Sequence, residues 1–154
     1  MRSKNLLLAI LCFYSVLIVS CAQSEPLKIA QKMDKKSTVC YKAISDYDTA
    51  WLSIDTANKQ IIGLMKFKYA DKEETLSGDF IGKMYGDTLK GHFDFTKNGE
   101  KLIHRNPVAF LKKDGKFTMG VGKFMIVMGV GQFDHLVPID FEKGRFIFEK
   151  SVCR

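Results

Sequence analysis

Three histidines, four cysteines and two glycine pairs are the residues from which chemistry in this chain would have to come. His92, His104 and His135 are 12 and 31 residues apart, which is no compact zinc spacing. His92 shares the polar parity of Lys90 and Asp94. His104 shares the parity of Leu102, Val108 and Phe110, so it is expected inward as a hydrogen-bonded core histidine. His135 follows Asp134 in a loop pattern, a pairing too common to signal catalysis. No serine occupies a G-x-S-x-G elbow. Gly120-x-Gly122 and Gly129-x-Gly131 do not continue as G-x-G-x-x-G, so they are not nucleotide loops. The inventory therefore assigns no catalytic residue, no metal ligand and no cofactor, and the expectation is a protein that is not an enzyme.

The cysteines carry more. Arg2 and Lys4 precede an apolar run from Leu6 to Val19, and no acidic residue occurs among the first 20. A basic head, a short apolar core and the small Ser20 form a secretory signal peptide. Cys21 follows directly. Ile18, Ser20 and Cys21 resemble positions −3, −1 and +1 of the bacterial lipobox, which implies cleavage before Cys21 and its lipidation. As a helix the 14-residue run rises about 21 Å, short of the roughly 30 Å hydrocarbon core that a permanent anchor must cross. A secreted protein with a free N-terminal cysteine and an uncleaved anchor are the competing readings. Ala22, rather than aspartate, follows Cys21, which points to lipid anchoring in the outer membrane, on its periplasmic face or at the cell surface.

Once Cys12 leaves with the signal and Cys21 takes the lipid, Cys40 and Cys153 remain. In an oxidising compartment the two are expected to form a disulfide, with two free thiols as the alternative. Closing so long a loop contributes about 4.7 kcal/mol in the chain-entropy model. The whole chain carries +7 and the part after residue 20 carries +5, with 22 basic against 17 acidic residues. That charge is spread along the chain, as on a solvated surface. The interleaved lysines and aromatics of 64–69 are read the same way, and no nucleic-acid partner is expected.

Around these residues the chain divides into a signal peptide (1–20), a lipidated tether (21–37) with a short helical turn near Leu27–Met33, and one domain (38–154). In the domain the apolar period is two. Ala50, Leu52 and Ile54 alternate with Trp51, Ser53 and Asp55. Met65, Phe67 and Tyr69 alternate with Leu64, Lys66 and Lys68. Leu89, Gly91, Phe93 and Phe95 oppose Lys90, His92 and Asp94. Such alternation predicts strands with one buried face. Segments 56–59, 70–73, 97–100 and 113–116 have turn composition, the last two with Asn98-Gly99 and Asp114-Gly115. Strands joined by short turns predict an all-β antiparallel meander closed into a small barrel or half-barrel, with Gly63, Gly78, Gly82 and Gly91 where the sheet bends. Pro107 belongs at an edge or bulge. MGVGKF (119–124) returns as MGVGQF (128–133), which is expected to form β-arches or a strand pair whose Met and Phe side chains pack in the core or line a lipophilic pocket. By parity Cys40 lies with Lys42 and Cys153 with Glu149 and Arg145, so their bridge would join neighbouring strands from outside.

Cys40-Tyr41, Asp48-Thr49-Ala50, Gly63, GDFIGKMYGDTL (78–89), Phe110-Leu111-Lys112-Lys113 and the terminal Cys153 resemble the small envelope lipoproteins of Bacteroidota-type bacteria. The resemblance spans roughly residues 38–121 plus Cys153. It implies a calycin-like meander barrel and brings no activity with it. Two functional expectations follow. One is a membrane-anchored, non-catalytic module binding a small apolar ligand or an envelope protein. The other is an inhibitor of a peptidoglycan hydrolase, although Ser77-Gly78-Asp79-Phe80 departs from the S-G-x-x-Y inhibitory loop and +5 would repel a basic lysozyme.

Overall fold

A computed structural model describes residues 29–128 and 130–153; the signal peptide and Cys21 lie outside these residues. Eight strands close a barrel: β1 (Thr38–Ser45), β2 (Asp48–Asp55), β3 (Ile61–Tyr69), β4 (Glu74–Tyr85), β5 (Thr88–Lys97), β6 (His104–Lys113), β7 (Lys116–Met119) and β10 (Ile147–Ser151). Each of the first seven pairs with the next, and β10 closes the ring between β7 and β1, antiparallel throughout. The fold is the expected all-β meander, closed rather than half-open.

Alternation of side chains decides what fills the ring. Leu52, Met65, Phe80, Leu89, Phe110 and Phe148 are fully buried, and with Phe67, Phe93, Phe95, Phe117 and Phe146 they form one core. Aromatic rings meet across it edge to face, with centroids 5.5 Å apart for Phe67–Phe146 and 5.6 Å for Phe110–Phe148. Room for that packing depends on tight coiling of β3 to β5. A Cβ at Gly78 would lie 1.9 Å from the carbonyl oxygen of Asp94, and one at Gly91 would lie 2.1 Å from that of Ile81. Only hydrogen fits where backbone approaches so closely.

The hairpin turns use positive φ. Asn98 and Gly99 have φ of 48° and 78°, and Asp114 and Gly115 have 51° and 77°, the φ signs of the type I′ turn that matches strand twist. Two further turns, at Asp46 (φ 53°) and Gly86 (φ 59°), were not distinguished by composition. At the rim holding the β1–β2, β3–β4 and β5–β6 turns, here the upper rim, Asp48 is buried. It accepts from the amide of Ala70 at 2.8 Å and pairs with Arg145, which ties the start of β10 to two turns.

Between β7 and β10 the chain leaves the barrel for residues 120–146. This excursion carries a separate two-stranded hairpin, β8 (Phe124–Val127) and β9 (Val130–Phe133). The echoed hexapeptides take different structures. The first links β7 to β8, and the second forms the tip and β9; their final residues, Phe124 and Phe133, are partners at the hairpin base. Because β7 pairs only with Phe110–Lys113, the upper half of β6 has no hydrogen-bonded strand on that side. Pro107 sits there, its missing donor facing the unpaired edge as expected, and Gly131 of β9 approaches it.

Core packing, the favoured use of 119–133, is corrected for the hairpin. Met125, Ile126, Val127 and Met128 are all exposed, because no other strand covers them.

Candidate binding groove on the outer wall

The tether does not end free at residue 37. Its last nine residues lie against the barrel, with a 3₁₀ turn at Ile29–Gln31 within the helical segment expected there. Ile29 is only 5% exposed, although it precedes the first strand by nine residues. The amide of Asp34 and the hydroxyl of Ser37 donate to the two carboxylate oxygens of Asp55, at 2.8 and 2.5 Å, and Ala57 donates a third bond. Those donors hold the Asp55 carboxyl below its usual range, with Ser37 the largest influence.

This arrangement borders a groove of about 570 Å³ on the outside of β1–β4. Two cross-strand rows form it. Cys40, Ser53, Leu64 and Asp79 are in register across the four strands, and beside them run Trp51, Lys66 and Ser77. Leu64 and Trp51 supply apolar surface, and the Lys66 ammonium stands 5.8 Å from the indole centroid. Asp79 accepts a hydrogen bond from the Ile29 amide. Burial, opposed by that bond and reinforced by the nearby Asp94 charge, raises its carboxyl above the ordinary value. The groove thus presents an apolar floor with a cation and a carboxyl.

The expected disulfide forms its wall. Cys40 and Cys153 are bonded, with Cα atoms 5.2 Å apart, across the seam where β10 pairs with β1. Parity placed both cysteines outside the barrel, and Cys40 is nevertheless nearly buried, since its partner sulfur, Ser53 and the C-terminal segment cover it. The Ser53 hydroxyl donates to Cys40 Sγ at 3.3 Å.

The histidines do not converge on this groove. His92 lies on the outer face, 3.9 Å from Asp94, which Arg105 clamps through two bonds of 2.5 Å. Burial and the Arg105 charge lower its pKa. His104 points inward as parity predicts, but it is half-buried and stacks on Phe95 at 5.4 Å, instead of being a hydrogen-bonded core histidine. His135 is exposed after β9. Among the described residues no three His, Cys, Asp or Glu side chains gather as a metal site. The groove residues Trp51, Leu64, Lys66, Ser77 and Asp79 were not assigned from sequence; the available signal was a lone tryptophan at a position whose parity is solvent-facing.

A second cavity, about 260 Å³, lies at the upper mouth of the barrel between Phe67, Phe93, Phe95, Phe124 and Phe133. It falls below the 300–1,000 Å³ typical of small-molecule sites, whereas the outer groove falls inside that range. Comparison with known proteins adds no relative: no family model, curated protein or solved structure matches the chain.

Proposed function

We propose that the chain is an envelope lipoprotein, held to the outer membrane through lipidated Cys21, whose calycin-like barrel is a non-catalytic module binding a small amphiphile on its outer wall. The observation carrying this reading is the contrast between a barrel interior filled by Phe67, Phe80, Phe93, Phe110, Phe146 and Phe148 and an open outer groove. A ligand inside the barrel would have to displace that core. In the groove, an apolar body would lie on Trp51 and Leu64, and a polar end would meet Lys66 and Asp79. At the groove, β1 to β4 are each paired on both sides, so no partner strand can add there.

The anchor is needed for membrane residence because the wall itself is unsuited to lipid. Lys42, Lys66, Lys83 and Lys90 project outward, where a membrane-spanning barrel would carry an apolar band. Cys21→Ser should leave the precursor uncut or make the processed protein extractable from membranes by alkaline carbonate; a processed mutant that carbonate does not extract would refute lipidation.

The chain has a single tryptophan, and it lines the groove, so its emission reports occupancy directly. Titration with detergent-dispersed envelope lipids should give a saturable emission shift that Leu64→Glu abolishes. A flat titration, or an equal shift in the variant, would sink the groove as the binding site.

A further inference from the structure

The β8–β9 hairpin is the feature that neither the groove nor the barrel explains. From Phe124 to Phe133 there is no charged residue. Exposure is 52% at Phe124, 44% at Met125, 73% at Ile126, 40% at Val127 and 97% at Met128. Successive side chains of a strand point to opposite faces. Four consecutive exposed apolar residues in β8 therefore mean that both faces of that strand are uncovered. A flat protein partner would cover one face; an apolar fluid would cover both.

We infer that this hairpin tip inserts into the interfacial layer of the bilayer to which the protein is anchored, a second membrane contact that rests on the lipoprotein reading above. Depth is limited by the backbone. β8 is bonded to β9 alone, so its other edge keeps unpaired amides and carbonyls that the hydrocarbon core would not satisfy. Four residues of strand rise about 13 Å, enough for the roughly 5–10 Å penetration of interfacial segments but not for a span. Lys123 stands at the base, 72% exposed and 3.8 Å from Asp134, where its ammonium can reach lipid phosphates as the tip descends.

The anchor can reach the same surface. Ile29 is eight chain steps from Cys21, a contour of at most about 29 Å. Ile29 bonds to Asp79, five residues below the upper end of β4 at Glu74, a climb of about 17 Å. From β4 to β6, beside which β9 packs, is two strand spacings, about 10 Å. The path to the hairpin side of the upper rim is therefore shorter than the tether.

The test uses the mature protein with Met128→Cys, labelled there with an environment-sensitive fluorophore. Residue 128 is almost fully exposed, so the label does not disturb packing. In phosphatidylethanolamine–phosphatidylglycerol vesicles the label should shift to the blue and be quenched by nitroxide-bearing lipids but not by aqueous iodide. Adding Ile126→Asp should reduce vesicle partitioning of the hairpin on the order of tenfold, as loss of one buried aliphatic side chain implies. Iodide quenching unchanged by vesicles would overturn the inference, as would shielding that appears only with envelope proteins and without lipid quenching. The mass of the N-terminal fragment reports lipidation of Cys21 separately. A chain lacking the lipid is added to the same vesicles from solution, so failure of the anchor and failure of the hairpin remain distinct results.

Discussion

The wall formed by β3, β4 and β5 and the excursion from 120 to 146 contain similar proportions of apolar residues and behave in opposite ways. In the wall, every second residue turns inward and meets an aromatic core. Phe67, Phe80 and Phe93 are each at most 2% exposed. In the excursion, the apolar residues of β8 are consecutive, so no choice of register could bury all of them against one surface. Hydrophobic content alone therefore does not make a core; its period, combined with a neighbour on the correct side, does. Where β7 stops at Met119, the neighbour is missing and the apolar surface stays outside.

The sharpest way to test that contrast is to cut equivalent mass from both regions. Phe148→Ala removes a fully buried ring packed against Phe110, and it should cost about 3–5 kcal/mol, read as a lower denaturant midpoint with an unchanged slope. If the barrel tolerated this change with less than about 1 kcal/mol, the interior would be looser than the packing implies, and an internal ligand would regain force.

Opening the seam comes next. Cys40→Ser combined with Cys153→Ser, compared in denaturant with the oxidised protein, should lower stability by about 2–5 kcal/mol. Amide exchange should accelerate along β1 and β10, while the hairpin, already dependent on few contacts, should change little.

A smaller effect concerns the tether. Asp55 has its pKa lowered in the folded chain by Ser37, Ala57 and Asp34. Its stabilisation is therefore present above the unfolded carboxylate value near 3.9 and disappears as pH falls through the lower folded value. Ser37→Ala should weaken the protein at pH 7 more than at pH 2, narrowing the difference between the two unfolding midpoints. An identical loss at both pH values would show that the hydroxyl acts by packing rather than by stabilising the carboxylate.

Smallest of all, Met128→Ser should leave the unfolding midpoint in solution within about 0.5 kcal/mol, since the side chain is almost entirely exposed. A larger loss would show that the hairpin supports the barrel.

Much of this architecture was legible in the chain because its signals are local. Alternation at 87–96 and the Asn98-Gly99 and Asp114-Gly115 turns each specify a structural element over short range. The outer groove is different. Ser53, Leu64 and Asp79 come together only through the register of three strands, and the groove is bordered by Cys153's bond and by a tether segment that composition marked as linker. Leu64 and Trp51 carried the clue, being large apolar residues at positions of polar parity. The exposure of β8 was hidden for the opposite reason: its residues satisfy any local criterion for burial, and only the early end of β7 leaves them uncovered.

The bond between Cys40 and Cys153 also determines how the molecule carries load. A pull transmitted through the tether enters the fold at Ile29 and runs along the chain to Cys40, where it meets a covalent crossing to the last strand. Between the tether and the C-terminal end, force takes that crossing and bypasses the 113-residue loop containing the barrel. Ahead of the paired residues of β1, the stretch from Ile29 to Ser37, held by the bonds to Asp55 and Asp79, can be drawn out. On the anchoring proposed above, a tug from the membrane would thus peel residues 29–37 from the wall beside the groove while every strand stayed in register.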